Sequence, residues 1–455
     1  MPDRRTTTAL PVRLDRTAPD PLGVQLSAQV RELVVGGTLR RGDRLPSTRA
    51  LAADLGVARS VTEQAYDQLV AEGWLAARRG AGTFVASEAA HRGPVPSRPA
   101  PDPGPDLVRL STGEPWIDPR HRAGWRRAWR EVSAATPARG YGDPRGLPEL
   151  REALAARLAR TRGLVVDPDE VVVTAGTAAG VRDMLAVLPP GAVGVEDPGY
   201  RATVATVRES GRAVVDLPAE RAPRPEEVTG LAAVAVTPAH QHPLGRVMPA
   251  GDRLALLAAV RDAGAVVLED DYDSELRYDV APVPALASLG RDDVAYVGTA
   301  SKSAPPGLRI GWLVPPPRLL DAVVARREVV HDVASWPSQR ALLTLLRDGW
   351  LDTTVRTARR VYAARAARVA RVLAPYATPA ATSAGMYSTW LTHQDAALRA
   401  HAAARRAGFD LPLLSDYCRT ATTTGIVVGF GGLTDAELDR ALAAVRAGLA
   451  GEPVP

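Results

Sequence analysis

Between Arg92 and Asp106 the chain reads RGPVPSRPAPDPGPD, with proline at 94, 96, 99, 101, 103 and 105. Proline has no amide hydrogen and a fixed φ, so a stretch this dense in it joins neither a helix interior nor a sheet. It favours extended, solvated polyproline II and predicts a semi-rigid spacer. The chain must therefore fold as separate bodies: a module over 1–86, a linker over 87–108, and a body over 109–455. A length of 455 residues agrees, being too long for one ordinary domain.

The basic residues narrow the chemistry. Lys and Arg total 56, and Lys302 is the one lysine among them. On a solvated surface the two cations substitute freely. A lone lysine hints at a task that needs a primary amine able to lose its proton, which a guanidinium cannot do. A single cysteine, Cys418, rules out an internal disulfide framework and a cysteine-based zinc site, and suits a reducing cytoplasm. No apolar run is long enough for a membrane span and the first residues lack a signal-peptide core, so a cytoplasmic, nucleoid-associated protein is expected. The net charge of +5 is small for this length, so bulk charge makes no case for nucleic acid.

Local pattern does make that case. Leu22, Leu26, Val30, Leu33 and Val34 recur at helical spacing up to Gly36-Gly37. A second helix fits Ser47 to Leu55, stopped by Gly56. A third fits Arg59 to Ala71, with Val61, Ala65 and Leu69 inward and Gly73 closing it. The runs at 74–76 and 83–85 flank RRGAG and predict a hairpin with a basic tip. Three helices and such a hairpin make a winged helix-turn-helix. Residues 45–86 closely resemble the winged helix of GntR-type bacterial transcription regulators. The resemblance implies double-stranded DNA as partner, with Arg59, Ser60 and Thr62 in the leading turn of the recognition helix and Arg49 on the preceding one. Arg78, Arg79, Gly80 and Gly82 form the wing. Glu63 stands where many relatives carry a basic residue. Residues 1–85 hold 12 Arg against 9 Asp plus Glu, a net of +3.

Beyond the linker, helical stretches (148–162, 250–263) alternate with apolar runs at 171, 192, 232, 265 and 294. That alternation predicts an α/β body with a mainly parallel sheet. From about 345 the chain turns Ala- and Arg-rich, with strand-like 386–391 and 426–430, predicting a small C-terminal α+β subdomain over 345–455 beside a large domain over 109–344. Open α/β sheets bind ligands at the carboxyl ends of their strands, and Thr237, Asp270 and Lys302 all follow apolar runs there. A lysine at such a place can form a Schiff base with an aldehyde, and an aspartate can pair with a protonated pyridine nitrogen.

The stretches YGDPRGLPELREALAARLARTRG, VTAGTAAG, EDPGY, TPAHQHPLG, LEDDYDSELRY and GTASKSAPPGLRIGW resemble fold-type I aminotransferases. Joined to the winged helix, they resemble the MocR/GabR subfamily of GntR regulators. The resemblance implies pyridoxal 5'-phosphate on Lys302, with Asp270 at the ring nitrogen, Tyr272 on the phenolic oxygen and Tyr200 stacked on the ring. It puts the phosphate on Gly176, Thr177, Ala178, Ser301 and Arg309. His242, in the HQHPLG turn, contacts the cofactor or simply packs. Arg419, and as a second candidate Arg201, would receive an effector carboxylate. The family glutamine of the glycine-led turn is replaced by Ala178 or Ala179. The implied protein is a regulator that senses pyridoxal phosphate or an amine effector as a head-to-tail, domain-swapped homodimer. The alternatives are a working aminotransferase with an accessory DNA-binding domain, and a nucleoid protein that uses the body only to dimerise.

Overall fold

A computed structural model describes residues 10–78, 81–86, 107–278, 283–382 and 384–452. Arg79, Gly80 and most of the expected linker lie outside the described residues. The chain divides into two compact units, Met1–Asp102 and Pro103–Pro455.

In the first unit, helices span Leu22–Val35, Thr48–Leu55 and Arg59–Ala71, followed by an antiparallel hairpin of Leu75–Arg78 with Gly82–Val85. The Ser47 hydroxyl accepts the Ala50 amide at 3.1 Å, capping the second helix. Leu26, Val30, Leu51, Ala65, Tyr66, Leu69 and Leu75 form the core. Of the residues expected to face inward from the third helix, Ala65 and Leu69 are buried and Val61 is half-buried, while Thr62 is fully buried beside them. The Thr62 hydroxyl donates to a main-chain oxygen, with Thr48 O and Arg59 O each at 2.9 Å, and that bond draws the polar residue inward.

The second unit is built on a seven-stranded sheet in the order Val172–Thr174, Gly311–Val314, Val294–Thr299, Val266–Asp271, Leu231–Val236, Ala192–Asp197, Val214–Pro218. All neighbours are parallel except Gly311–Val314, which runs antiparallel to both its partners. The strand Leu231–Val236 is buried throughout, with Val234 and Val236 in one apolar cluster and Ala233 and Ala235 in another. That is the period-two signature of a sheet covered on both faces. A smaller antiparallel sheet of Thr378–Pro379, Tyr387–Leu391 and Gly425–Gly429 packs with helices Trp350–Leu373, Gln394–Arg406 and Asp435–Ala450.

The reversed strand does positional work. Gly311, its first residue, pairs with both Thr174 and Thr299, the ends of its neighbours. The loop that leads into it, carrying Lys302 and Arg309, is thereby held at the carboxyl edge of the sheet, beside the turn that leads out of Val172–Thr174.

Candidate functional site

At that edge lies a cavity of about 320 Å³. Its floor and rim include Asp270, Tyr272, Thr299, Ser301, Lys302 and Arg309, with Thr177, Tyr200 and His242 from neighbouring strand ends. Ser111, Thr112, Gly113 and Glu114 close it from the start of the body. Eight of the ten residues expected around a cofactor therefore meet in one space. Gly176 and Ala178 flank it at the start of the helix Thr177–Val187.

Lys302 Nζ donates to Gly113 O at 2.8 Å. Burial pulls its ammonium below the usual lysine value, while Asp273, Asp270 and Glu114 hold it up. Asp270 is pushed up to about 7, mainly by burial and then by the neighbouring Asp271. Its Oδ1 is buried without a hydrogen-bond partner among the described residues, a cost that a ring N–H would remove. His242 Nε2 lies 3.1 Å from the Thr112 hydroxyl, and its Nδ1 is likewise buried and unpartnered. Burial pushes this imidazole down to about 3, so it is neutral at physiological pH. Tyr200 meets it edge-on at 5.1 Å.

The opposite end of the cavity is built for an anion. The amides of Thr177 and Ala178 stand in the first turn of a helix, where no preceding carbonyl claims them. Gly176 has φ 106°, and a side chain there would meet Arg309 Nη2 at 3.2 Å. Arg309 is held in a left-handed conformation (φ 52°) and donates to Ala175 O at 3.1 Å. The Ser301 hydroxyl lies 3.0 Å from that of Thr299. An amine, an unpartnered carboxylate oxygen and a glycine-led anion cradle in one cavity fit pyridoxal phosphate.

Other expected residues stand elsewhere. Arg419 does not line the cavity: its Nε donates to Asp216 at 2.5 Å, its Nη2 to Glu196 O at 2.7 Å, and its amide to Asp197 at 2.8 Å. The carboxylate-receiving role expected of it would require exchanging Asp216 for the ligand. Arg201 is exposed, with its guanidinium 5.4 Å from the Tyr417 ring. The Tyr272 hydroxyl, expected on the cofactor, lies 2.9 Å from His240 O and 2.8 Å from the Tyr387 hydroxyl. Thr237 sits behind the cavity, donating to buried Glu196 at 2.7 Å and accepting the His242 amide at 3.0 Å.

In the winged helix, Arg49, Arg59, Ser60, Arg78 and Gly82 are exposed. Arg59 pairs with Glu63 at 2.7 Å, and the Arg78 guanidinium lies 5.1 Å from the Phe84 ring. Thr62 is a correction: with its hydroxyl bonded inside the helix pair, it packs the motif and offers no polar group outward. Sequence pattern did not single out Arg44, which lies alongside Gly82.

Residues 22–85 match the bacterial regulatory proteins of the gntR family, and residues 105–445 match aminotransferase class I and II. The chain belongs to the GntR-type regulators that carry an aminotransferase domain. It is 34% identical over 437 residues to the HTH-type pyridoxine biosynthesis transcriptional regulator PdxR of Corynebacterium glutamicum, covering 93% of this chain and 94% of that one. It is 33% identical over 458 residues to the probable rhizopine catabolism regulatory protein MocR of Rhizobium meliloti, covering 92% of each. Among solved structures, an archaeal alanine:glyoxylate aminotransferase superposes with a TM-score of 0.69 at 23% identity, over 77% of this chain and 92% of its own. The aspartate aminotransferase of Thermus thermophilus with maleate gives 0.64 at 25%, over 76% and 92%. The regulator thus joins a DNA-binding winged helix to a fold whose enzymes depend on pyridoxal phosphate. No helix among the described residues is long and apolar enough to cross a membrane.

Proposed function

We propose that this GntR-type transcription regulator binds pyridoxal phosphate in the cavity around Lys302 and uses its occupancy, or exchange with an amine effector, to set DNA affinity. The observation that carries this reading is the buried, unpartnered Asp270 Oδ1 in the same cavity as the chain's one lysine. When bound, the cofactor supplies a carbonyl that combines reversibly with amines and a ring that withdraws electrons. The protein's own part is positioning. Asp270, whose carboxyl is pushed up to about 7, would face the ring nitrogen and accept or share the proton there. Lys302, its ammonium weakened by burial, reaches the neutral amine more readily than an exposed lysine. Thr177, Ser301, Arg309 and the amides after Gly176 would bind the phosphate, while Tyr200 and neutral His242 would flank the ring.

In this reading residues 1–86 bind operator DNA, 87–108 link, the large part of the body (109–344) lines the cofactor cavity, and the small part (345–455) packs beside it. A small charge surplus on the winged helix supports reading by a head-to-tail homodimer in the cytoplasm, where two modules share one operator. The relative named for pyridoxine biosynthesis supports pyridoxal phosphate itself as effector.

The test is anisotropy of labelled DNA from the region upstream of the regulator's own gene, titrated with the full chain with and without pyridoxal phosphate. Specific binding whose affinity changes with the cofactor is expected. Specific binding unaffected by the cofactor, together with turnover of amino donors and 2-oxo acids at enzymatic rates, would instead identify a working aminotransferase, which needs the same Lys302 and Asp270.

A further inference from the structure

Two side chains behind the cavity have no part in the reading above. Asp273 follows Tyr272 just beyond the strand Val266–Asp271, and His240 follows the strand Leu231–Val236. Their side chains are 1% and 2% exposed. His240 Nδ1 lies 2.8 and 3.0 Å from the two carboxylate oxygens, which places the ring proton on Nδ1. The Tyr272 hydroxyl is 3.1 Å from that same nitrogen and 2.9 Å from His240 O. Donating to the carbonyl, it accepts from the Tyr387 hydroxyl at 2.8 Å, and Tyr387 belongs to the small subdomain. That subdomain approaches through Gly385 (φ 65°), where a side chain would fall 2.5 Å from Asp273 Oδ2. Of these groups only Tyr272 lines the cavity. Asp270 and Glu114 line the cavity together with Lys302, and Asp273 lines a second, smaller pocket with it; all three hold its ammonium up.

We propose that the buried Asp273–His240 pair is the positioning unit of this cavity: it fixes where the Tyr272 hydroxyl stands and supplies an anion behind the Lys302 amine. The proposal rests on the cavity's holding pyridoxal phosphate. Asp273 and His240 touch neither the cavity nor the reacting nitrogen, so they act through Tyr272 and through charge.

The test uses the full-length protein and pyridoxal phosphate, read by visible absorbance. Asp273→Asn keeps the shape and an acceptor for Nδ1–H but removes the charge. A cationic nitrogen that loses a nearby anion gives up its proton more easily, so the pH midpoint of the bound cofactor's absorbance should fall by about one unit. An unmoved midpoint overturns the charge role. His240→Gln should weaken cofactor binding roughly tenfold, and Tyr272→Phe/His240→Gln should bind no more weakly than Tyr272→Phe alone. Losses that multiply overturn the positioning role, and this cycle decides even where Asp273→Asn does not fold. Wild-type protein that gains no visible absorbance with pyridoxal phosphate defeats the cavity reading itself, whereas wild-type absorbance with silent variants defeats only the pair.

Discussion

At the scale of single residues, Lys302 is where composition became chemistry. Replacing it with arginine keeps the charge and approximate length but removes an amine that can deprotonate. Lys302→Arg should therefore abolish the visible absorbance of bound cofactor, and borohydride reduction of the wild type should label this one side chain; an unchanged spectrum contradicts the assignment. His242 gives a pH prediction of definite sign. Its folded pKa of about 3 lies below the ordinary histidine value, so between the two the unfolded chain holds the extra proton and stability falls as pH falls. Buried Glu196, Glu269 and Asp270, each raised to about 7, act oppositely, losing stability as pH rises through that value. The wild-type profile mixes both, so the comparison must be by difference. His242→Phe should become more stable relative to wild type with acidification below about pH 6.5, by up to roughly 1.4 kcal/mol per pH unit, read from urea melts. A constant offset between the two proteins would remove His242 from the pH dependence.

At the scale of elements, the recognition helix separates packing from reading. Thr62→Val removes a buried hydroxyl that is bonded within the motif. It should lower the stability of the winged helix by about 1 kcal/mol and affect DNA binding only through folding. Arg59→Ala should leave the melt nearly unchanged but weaken binding and flatten its salt dependence by roughly one unit of slope. The reverse outcome would put Thr62 on the DNA after all. Sequence placed this helix between the correct ends and Ala65 and Leu69 on its inner face, but missed the burial of Thr62, whose hydroxyl is satisfied by the main-chain oxygens of Thr48 and Arg59. Strands buried on both faces, such as Leu231–Val236, were legible as unbroken apolar runs. The half-exposed edge strand Val214–Pro218 and the four-residue Gly311–Val314 were not, since the first is interrupted by polar Asp216 and the second, though apolar and buried, is too short to stand out from loop. Asp270 and Lys302, which line the cavity, were legible because they follow strand ends. Arg419's partners and the His240–Asp273 pair were not, because they join loops distant in sequence.

At the scale of the whole molecule, the proposed regulation demands that the cavity and the DNA surface exchange free energy. The segment that follows the proline tract enters the body with Leu110 fully buried, Gly113 O accepting the Lys302 amine at 2.8 Å and Thr112 on His242 at 3.1 Å. Whatever changes at Nζ is thus one hydrogen bond from the segment that meets the linker. A cofactor that bound both states of the molecule equally would shift nothing however tightly it bound, so only differential affinity regulates. Such coupling is reciprocal by thermodynamic necessity. If pyridoxal phosphate changes operator affinity by roughly tenfold, within the usual range for allosteric proteins, saturating operator must change cofactor affinity by the same factor and in the same direction. Titrating cofactor absorbance with and without operator, and operator anisotropy with and without cofactor, gives the two ratios independently. A strong effect of the cofactor on DNA binding with no return effect would mean that the ligand acts by an irreversible process such as aggregation, and not by selecting between two forms of one molecule. A matching pair of ratios that vanishes in Lys302→Arg would tie that selection to the one amine the chain retains.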